Sequence, residues 1–295
     1  MSGTVLLTGA TGFVGSQVLA QLAAGGISVR AVMRPGRAGP AAVQDVVFSA
    51  DLFAEDAVWW AKACAGITTV IHCAWYAKPG EYLHSPQNLS CLAGTLAMAD
   101  GAMRAGVKRF VGIGTCFEYD LSAGVLSLDT PLRPTTPYAA AKAAAFLVLS
   151  QILPHAGLTF AWCRLFYLFG EGEDPKRLAA HLHARLSAGE TVELTSGRQI
   201  RDFLDVTEAG RRIALTALGP IEGPVNICSG QPISVRQFAE SIADRYGRRD
   251  LLNFGARPDN AVDPPCVLGI PTILPDQSEK TEARPRATTR SRAAI

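Results

Sequence analysis

Leu7-Thr8-Gly9-Ala10-Thr11-Gly12-Phe13-Val14-Gly15 is the stretch that decides the fold. Its glycines are spaced GxxGxxG between an apolar run, Val5-Leu6-Leu7, and a helical pattern over 12–24 that stops at Gly25-Gly26. Glycines at a strand-to-helix turn allow a tight bend and close approach of the backbone to a pyrophosphate. The helix start then offers free N–H groups and the positive end of its dipole. Glycines alone carry little weight. Between a strand and a helix at the beginning of a chain, they predict a dinucleotide site built from Gly9, Thr11, Gly12, Phe13, Val14 and Gly15.

Outward from that turn, short apolar runs alternate with helical patterns. Strands are expected at 29–33, 46–48, 69–71, 110–113 and 159–166, with long helices at 88–105 and 138–153. Strands alternating with helices imply parallel pairing and right-handed crossovers, hence an α/β fold with a doubly wound parallel sheet. After about Gly170 the pattern changes. A helix at 177–188, a strand at 192–194, strands at 203–205 and 225–227 and a helix at 235–246 suggest a smaller lobe partly woven back into the first. The expected organisation is a cofactor domain over 1–168, a substrate lobe over 169–272 and a disordered tail over 273–295. From Asp276 the tail is mostly Glu, Lys, Arg, Thr and Pro.

Composition narrows the function classes. Of 295 residues, 48% are apolar and 18% charged, enough for a full core. A net charge of +2 argues against nucleic acid or an anionic membrane as the main partner. The cysteines (64, 73, 91, 116, 163, 228 and 266) form no CxxC pair and are odd in number, as expected of reduced thiols. Met1 to Thr4 is too short for a signal peptide, and no run of about 18 apolar residues suggests a membrane span. A cytoplasmic protein is expected. His181 and His183, two apart on a helix, face different ways, so no metal site is expected.

The end of the second strand bears on cofactor choice. NAD sites usually place a carboxylate there for the ribose hydroxyls. Here the chain reads Met33-Arg34-Pro35-Gly36-Arg37, and Arg34 and Arg37 could hold a 2′-phosphate, favouring NADP(H) over NAD(H). The chemistry points further along. Tyr138 and Lys142 stand four apart on a helix, on one face and about a turn from each other. A neighbouring ammonium favours the phenolate, so Lys142 is expected to lower the Tyr138 hydroxyl toward neutral pH, fitting it for general acid–base work. Thr115, at the carboxyl end of the fifth strand where such sheets bind ligands, is placed to hydrogen-bond a carbonyl or hydroxyl.

With these pieces assembled, the chain resembles an extended short-chain dehydrogenase/reductase of the nucleotide-sugar epimerase, dehydratase and reductase type. The resemblance rests on the glycine turn, Asp51-Leu52, His72-Cys73-Ala74, Thr115, Tyr138 with Lys142, and Arg201-Asp202-Phe203. Gly114-Thr115-Cys116-Phe117-Glu118-Tyr119 and Arg164-Leu165-Phe166-Tyr167 are similar to the dTDP-6-deoxy-L-talose 4-dehydrogenase group. The resemblance implies that Asp51 and Leu52 contact the adenine and that Cys73, Ala74 and Trp75 line the cofactor. It implies a catalytic triad of Thr115, Tyr138 and Lys142, the last two also touching the cofactor. Arg201 and Arg257 would meet the diphosphate of a sugar nucleotide, with Cys116 and Tyr167 in the sugar pocket. It also implies a homodimer in which the two long helices of each copy form a four-helix bundle.

The chain departs from that pattern in places. Dehydratases carry an Asp-Glu pair after the catalytic Thr; here stand Cys116 and Phe117. Tyr167 stands where an Asn is frequent. The family continues with a strand and helix after a stretch like Asp263-Pro264-Pro265, whereas this chain runs through Ile270-Pro271 into a polar tail. Glu118 reads equally as a substrate contact or an edge carboxylate, and Trp59-Trp60 as core or interface. The leading reading is a reductase or dehydrogenase at C4 of a nucleotide-linked 6-deoxy-4-ketohexose. The alternatives are an epimerase retaining NAD and a cofactor-binding protein without catalysis.

Overall fold

Val5, Leu6 and Leu7 are sealed from solvent and point alternately into two different cores. Fully burying such a side chain contributes about 1.5–3 kcal/mol, so a strand buried on both faces is anchored twice. The computed structural model describes residues 3–36, 39–260 and 263–275.

In chain order the strands are β1 (Thr4–Thr8), β2 (Val29–Met33), β3 (Asp45–Phe48), β4 (Ile67–His72), β5 (Arg109–Thr115), β6 (Val125–Leu126), β7 (Thr159–Leu165), β8 (Tyr167–Phe169), β9 (Val192–Leu194), β10 (Ile200–Asp205), β11 (Gly223–Ile227), β12 (Pro232–Ser234), β13 (Leu252–Phe254) and β14 (Cys266–Gly269). The helices are α1 (Phe13–Ala24), α2 (Ala57–Ala63), α3 (Gln87–Arg104), α4 (Pro137–His155), α5 (Leu178–Ser187), α6 (Val206–Leu218) and α7 (Val235–Asp244).

The main sheet is parallel throughout, in the order β11-β7-β5-β4-β1-β2-β3. This is the expected doubly wound architecture. Leu7, Val18 and Ile213 fill the core shared by α1 and α6. On the other face Leu6, Trp60, Met98 and Leu149 fill the core under α2, α3 and α4. Trp60 is thus core, with Trp59 packed edge-on against it at 4.9 Å. The chain order turns back between β1 and β4, which opens a crevice at their carboxyl ends.

A second sheet runs β12-β10-β14-β6, with β8 beside β10, and a two-stranded pair joins β13 to β9. Leu182, Val192 and Phe238 lead the core of this part. Two segments beyond residue 168, α6 and β11, belong to the main sheet's layers.

The sequence reading placed no strand after 227 and saw the chain run through Ile270-Pro271 into a tail. The structure corrects this. β14 slots between β10 and β6, parallel to both, and Thr272 exchanges hydrogen bonds with the Asn226 backbone. Leu274 packs against the α1 side of the core, so order continues into the segment expected to be a tail. That expectation from residue 276 onward lies outside the described residues, as does Arg37.

Candidate active site

Gly9 sits at φ +72°, where an added Cβ would lie 2.9 Å from the Ala74 nitrogen. An added Cβ on Gly15 would collide with the Gly9 carbonyl oxygen. The glycines therefore press β1, α1 and the segment after β4 together, and leave the N-terminus of α1 facing the crevice. Gly12 is its N-cap and offers no capping side chain.

A strut of side chains supports the turn from below. The Thr95 hydroxyl donates to the Cys91 carbonyl at 2.7 Å, so it accepts from His72 Nε2 at 2.9 Å. His72 Nδ1 then accepts from the Thr8 hydroxyl at 2.8 Å, and Thr8 Oγ1 accepts from the Ala74 N–H. Burial, helped by the Lys142 charge, pushes His72 down to about 3, so it stays neutral. Sequence reading used His72 only as part of the family resemblance.

The crevice is a cavity of about 710 Å³. The predicted cofactor residues Gly9 to Gly15, Arg34, Asp51, Leu52, Cys73, Ala74 and Trp75 all line it, as do Thr115, Cys116, Tyr138, Lys142 and Tyr167. Thr115 Oγ1 accepts from the Phe117 N–H at 3.3 Å, and the Thr115 hydroxyl is also hydrogen-bonded to Tyr138. Lys142 is buried. Its Nζ donates to the Ile113 carbonyl at 2.6 Å and lies 3.6 Å from the centre of the Trp75 ring. Burial lowers the Lys142 amine to about 7, partly opposed by the Glu118 charge. The Trp75 indole donates to Asn88 Oδ1, whose amide holds the Tyr82 and Ser85 carbonyls.

The expected lowering of Tyr138 by Lys142 does not hold in this arrangement. Burial pushes the Tyr138 hydroxyl well up, and Tyr82 and Glu118 push the same way; a hydrogen bond with Thr115 works against them. Spacing had put Tyr and Lys on one face correctly, but the ammonium is engaged by Ile113 and Trp75. In the protein alone the Tyr138 hydroxyl keeps its proton.

Glu118 is neither a substrate contact nor an edge carboxylate. It is fully buried and paired with Arg164 at 2.7 Å. Tyr82 was missed. Its ring meets that of Tyr138 edge-on at 4.8 Å, and it lines the cavity beside Trp75. The signal was available: ligand sites gather at the carboxyl ends of all strands, and the loop after β4 is one of them.

A smaller cavity of about 270 Å³ continues into the second lobe, with Arg201, Phe203 and Phe238 in its wall. The Arg201 guanidinium is buried and lies 5.3 Å from the Tyr167 ring centre. Its Nη2 is 2.7 Å from the Asp263 carboxylate but makes no well-directed hydrogen bond. Arg177, also missed, lines both cavities. Arg257 is exposed and stands outside the linings of these two cavities, its N–H tied to the Leu194 carbonyl where β13 leaves β9.

Residues 5–228 match the model of the NAD dependent epimerase/dehydratase family. The chain belongs to that family. Among curated relatives, it is 24% identical over 270 residues to a dTDP-6-deoxy-L-talose 4-dehydrogenase (NAD(+)) of Aggregatibacter actinomycetemcomitans, covering 90% of this chain and 98% of that one. It is 28% identical over 256 residues to a dTDP-6-deoxy-L-talose 4-dehydrogenase (NAD(P)(+)) of Kitasatospora kifunensis, covering 82% and 80%. Among solved structures, MoeE5 in complex with UDP-glucuronic acid and NAD superposes with a TM-score of 0.76 at 29% identity, over 91% of this chain and 90% of that one. The family membership bears out the resemblance drawn from the sequence.

Proposed function

We propose that this family member is an NAD(P)-dependent oxidoreductase acting at C4 of a nucleotide-linked 6-deoxy-4-ketohexose. One observation carries the reading: Thr115, Tyr138 and Lys142 open onto the same cavity as the glycine turn. The glycine cradle, which an added Cβ at Gly15 would fill, fits a dinucleotide, with its phosphates at the start of α1. Asp51 and Leu52 would meet the adenine, and Cys73, Ala74 and Trp75 would flank the rest.

When bound, the nicotinamide supplies the hydride. Tyr138 delivers a proton to the sugar's C4 oxygen, and the Thr115 hydroxyl, hydrogen-bonded to Tyr138 in the protein alone, turns to orient that oxygen. Lys142 would hold the nicotinamide ribose. Cys116 and Phe117 carry no acid–base pair, and Glu118 is committed to Arg164, which argues against water elimination. Arg201 would grip the diphosphate, and Tyr167 would close the sugar pocket.

The relatives named above are an NAD(+) and an NAD(P)(+) enzyme, so the case for NADP rests on this chain. Arg34 lines the cavity at the end of β2, where no carboxylate stands. A homodimer is part of the proposal: α3 exposes Leu89 (74%), and α4 exposes Leu147 (55%) and Ile152 (46%). A cytoplasmic setting agrees with cysteines that are all unpaired. Among the described residues no helix is long and apolar enough to cross a membrane.

The test is to mix protein, NADPH and a dTDP- or UDP-linked 6-deoxy-4-ketohexose and follow NADPH absorbance. Stoichiometric oxidation with a C4 alcohol as product supports the reading. Epimer exchange without net oxidation, from protein that purifies with NAD bound, would replace it with the epimerase.

A further inference from the structure

Behind Thr115 lies a buried polar chain that the proposed chemistry does not use. Glu118 Oε1 accepts the Thr115 N–H at 2.8 Å and the Trp162 indole N–H at 3.0 Å. Glu118 Oε2 accepts Arg164 Nε at 2.7 Å. Arg164 Nη1 donates to the Tyr119 hydroxyl at 2.9 Å, and that hydroxyl donates to Asn226 Oδ1 at 2.8 Å. The Asn226 amide then holds the carbonyls of Leu126 and Ile270, on strand β6 and just past β14. Glu118 and Arg164 are 0% and 2% exposed at their side chains.

Burying an ion pair costs desolvation, so its presence is weak evidence of a gain in stability. The backbone has been cleared to admit it. An added Cβ on Gly112 would strike the Trp162 ring, and one on Gly114 would strike the Trp162 indole nitrogen and Glu118 Oε1. Gly112, Gly114 and Glu118 thus flank Thr115 because the carboxylate and the indole press against its strand. Thr115 itself caps the turn Cys116–Glu118: its N–H is held by the Glu118 carboxylate, and its hydroxyl oxygen accepts from the Phe117 N–H inside that turn. The Arg164 guanidinium lies 4.5 Å from both the Tyr119 and Phe146 ring centres, and among the described residues its ion pair is with Glu118.

We propose that Glu118, clamped by Arg164 and Trp162, is the positioning residue for Thr115, fixing the β5 end so that the Thr115 and Tyr138 hydroxyls face one substrate oxygen. The inference rests on the proposed roles of Thr115 and Tyr138. Glu118 touches no substrate and moves no proton. Its carboxylate also lies near Lys142 and favours that residue's charged form, in keeping with a place at the hub of the site.

The experiment is a mutant cycle read as single-turnover hydride transfer to a 4-ketohexose nucleotide, with NADPH affinity measured separately. Glu118→Gln/Arg164→Met removes both charges, so no lone buried ion remains. Losing one preorganised donor costs about a hundredfold in rate, which is the loss expected for Thr115→Ala in the wild type. The double variant should lose about thirtyfold, keep NADPH affinity within about twofold, and then lose only about threefold more on adding Thr115→Ala, because coupled residues do not add. If the double variant does not fold, Tyr119→Phe replaces it and should also shrink the Thr115→Ala effect. A full Thr115→Ala loss in either background overturns the inference. If Thr115→Ala is harmless in the wild type while Tyr138→Phe is inactive, the positioning role alone falls. If both are harmless, the reading of the reaction beneath it falls as well.

Discussion

The turn after β1 and the turn after β5 open onto one cavity, yet they are built by opposite means. The first is made of backbone: glycines at close approach, a bare helix N-terminus and no charged side chain. The second is made of side chains: Thr115 is capped by Glu118, which is held by Trp162 and Arg164 from a strand more than forty residues away. A phosphate needs only N–H groups, which every residue but proline supplies, so the first turn is written locally. Aiming a hydroxyl at one oxygen needs partners from distant strands.

The largest expected effect falls on the second turn. Tyr138→Phe keeps the ring and removes the proton, and a positioned proton donor is worth about a hundred to ten thousandfold in rate. Single-turnover reduction should fall in that range while NADPH titration stays within about twofold. A near-normal rate would mean another group donates. Next is Arg201→Ala. Removing one side of a buried charge contact with a diphosphate costs about 2–5 kcal/mol, so the nucleotide-sugar dissociation constant should rise at least about thirtyfold with NADPH binding unchanged. Equal affinity by calorimetry would remove Arg201 from the substrate side.

The first turn is probed through its one side-chain support. His72 is neutral in the fold, with its proton affinity lowered from 6.5 to about 3. The unfolded chain therefore binds the extra proton between those values. The stability His72 contributes is full above pH 6.5 and drains away as pH falls toward 3, by about 1.4 kcal/mol per unit. Urea unfolding at pH 7.5 and pH 5 should show wild type losing about 2 kcal/mol more than His72→Gln, from that slope over 1.5 units. Equal losses would show that His72 is not the acid-sensitive strut. The smallest effect is at the rim. Arg34 is exposed, so Arg34→Ala should weaken NADPH about tenfold and leave NADH unchanged, since a solvated charge contact is worth little more than about 1 kcal/mol. An NADH preference in the wild type would reverse the cofactor assignment.

The same contrast decides what could be read from sequence. The parallel strands were visible because each is a short apolar run buried on both faces, as in Val5-Leu6-Leu7. The glycine turn was visible because its geometry is local. Tyr138 and Lys142 were visible as a helical pair, but the direction in which Tyr138 is perturbed was not, since burial and the engagement of Lys142 by Trp75 are properties of the fold. Glu118 looked like a loop acid because Arg164 is remote in sequence. β14 escaped notice because Pro264, Pro265 and Pro271 around Cys266–Gly269 look like a linker. Arg257 was carried over by motif, and its exposed place beyond β13 is set by the fold of the second lobe.

The place of β14 bears on how the protein comes to be made. It is the last strand among the described residues, yet it fills an interior slot, pairing Leu268 with Val125 across nearly half the chain's length. Pairings so far apart in sequence are slow to form. During synthesis the main sheet can assemble while β6 and β10 still present bare edges to one another, and unpaired edges invite the wrong neighbour. Only when Cys266–Gly269 has left the ribosome can the slot close, seat Ile270 against Asn226 and link that late-arriving segment to the chain of bonds behind Thr115.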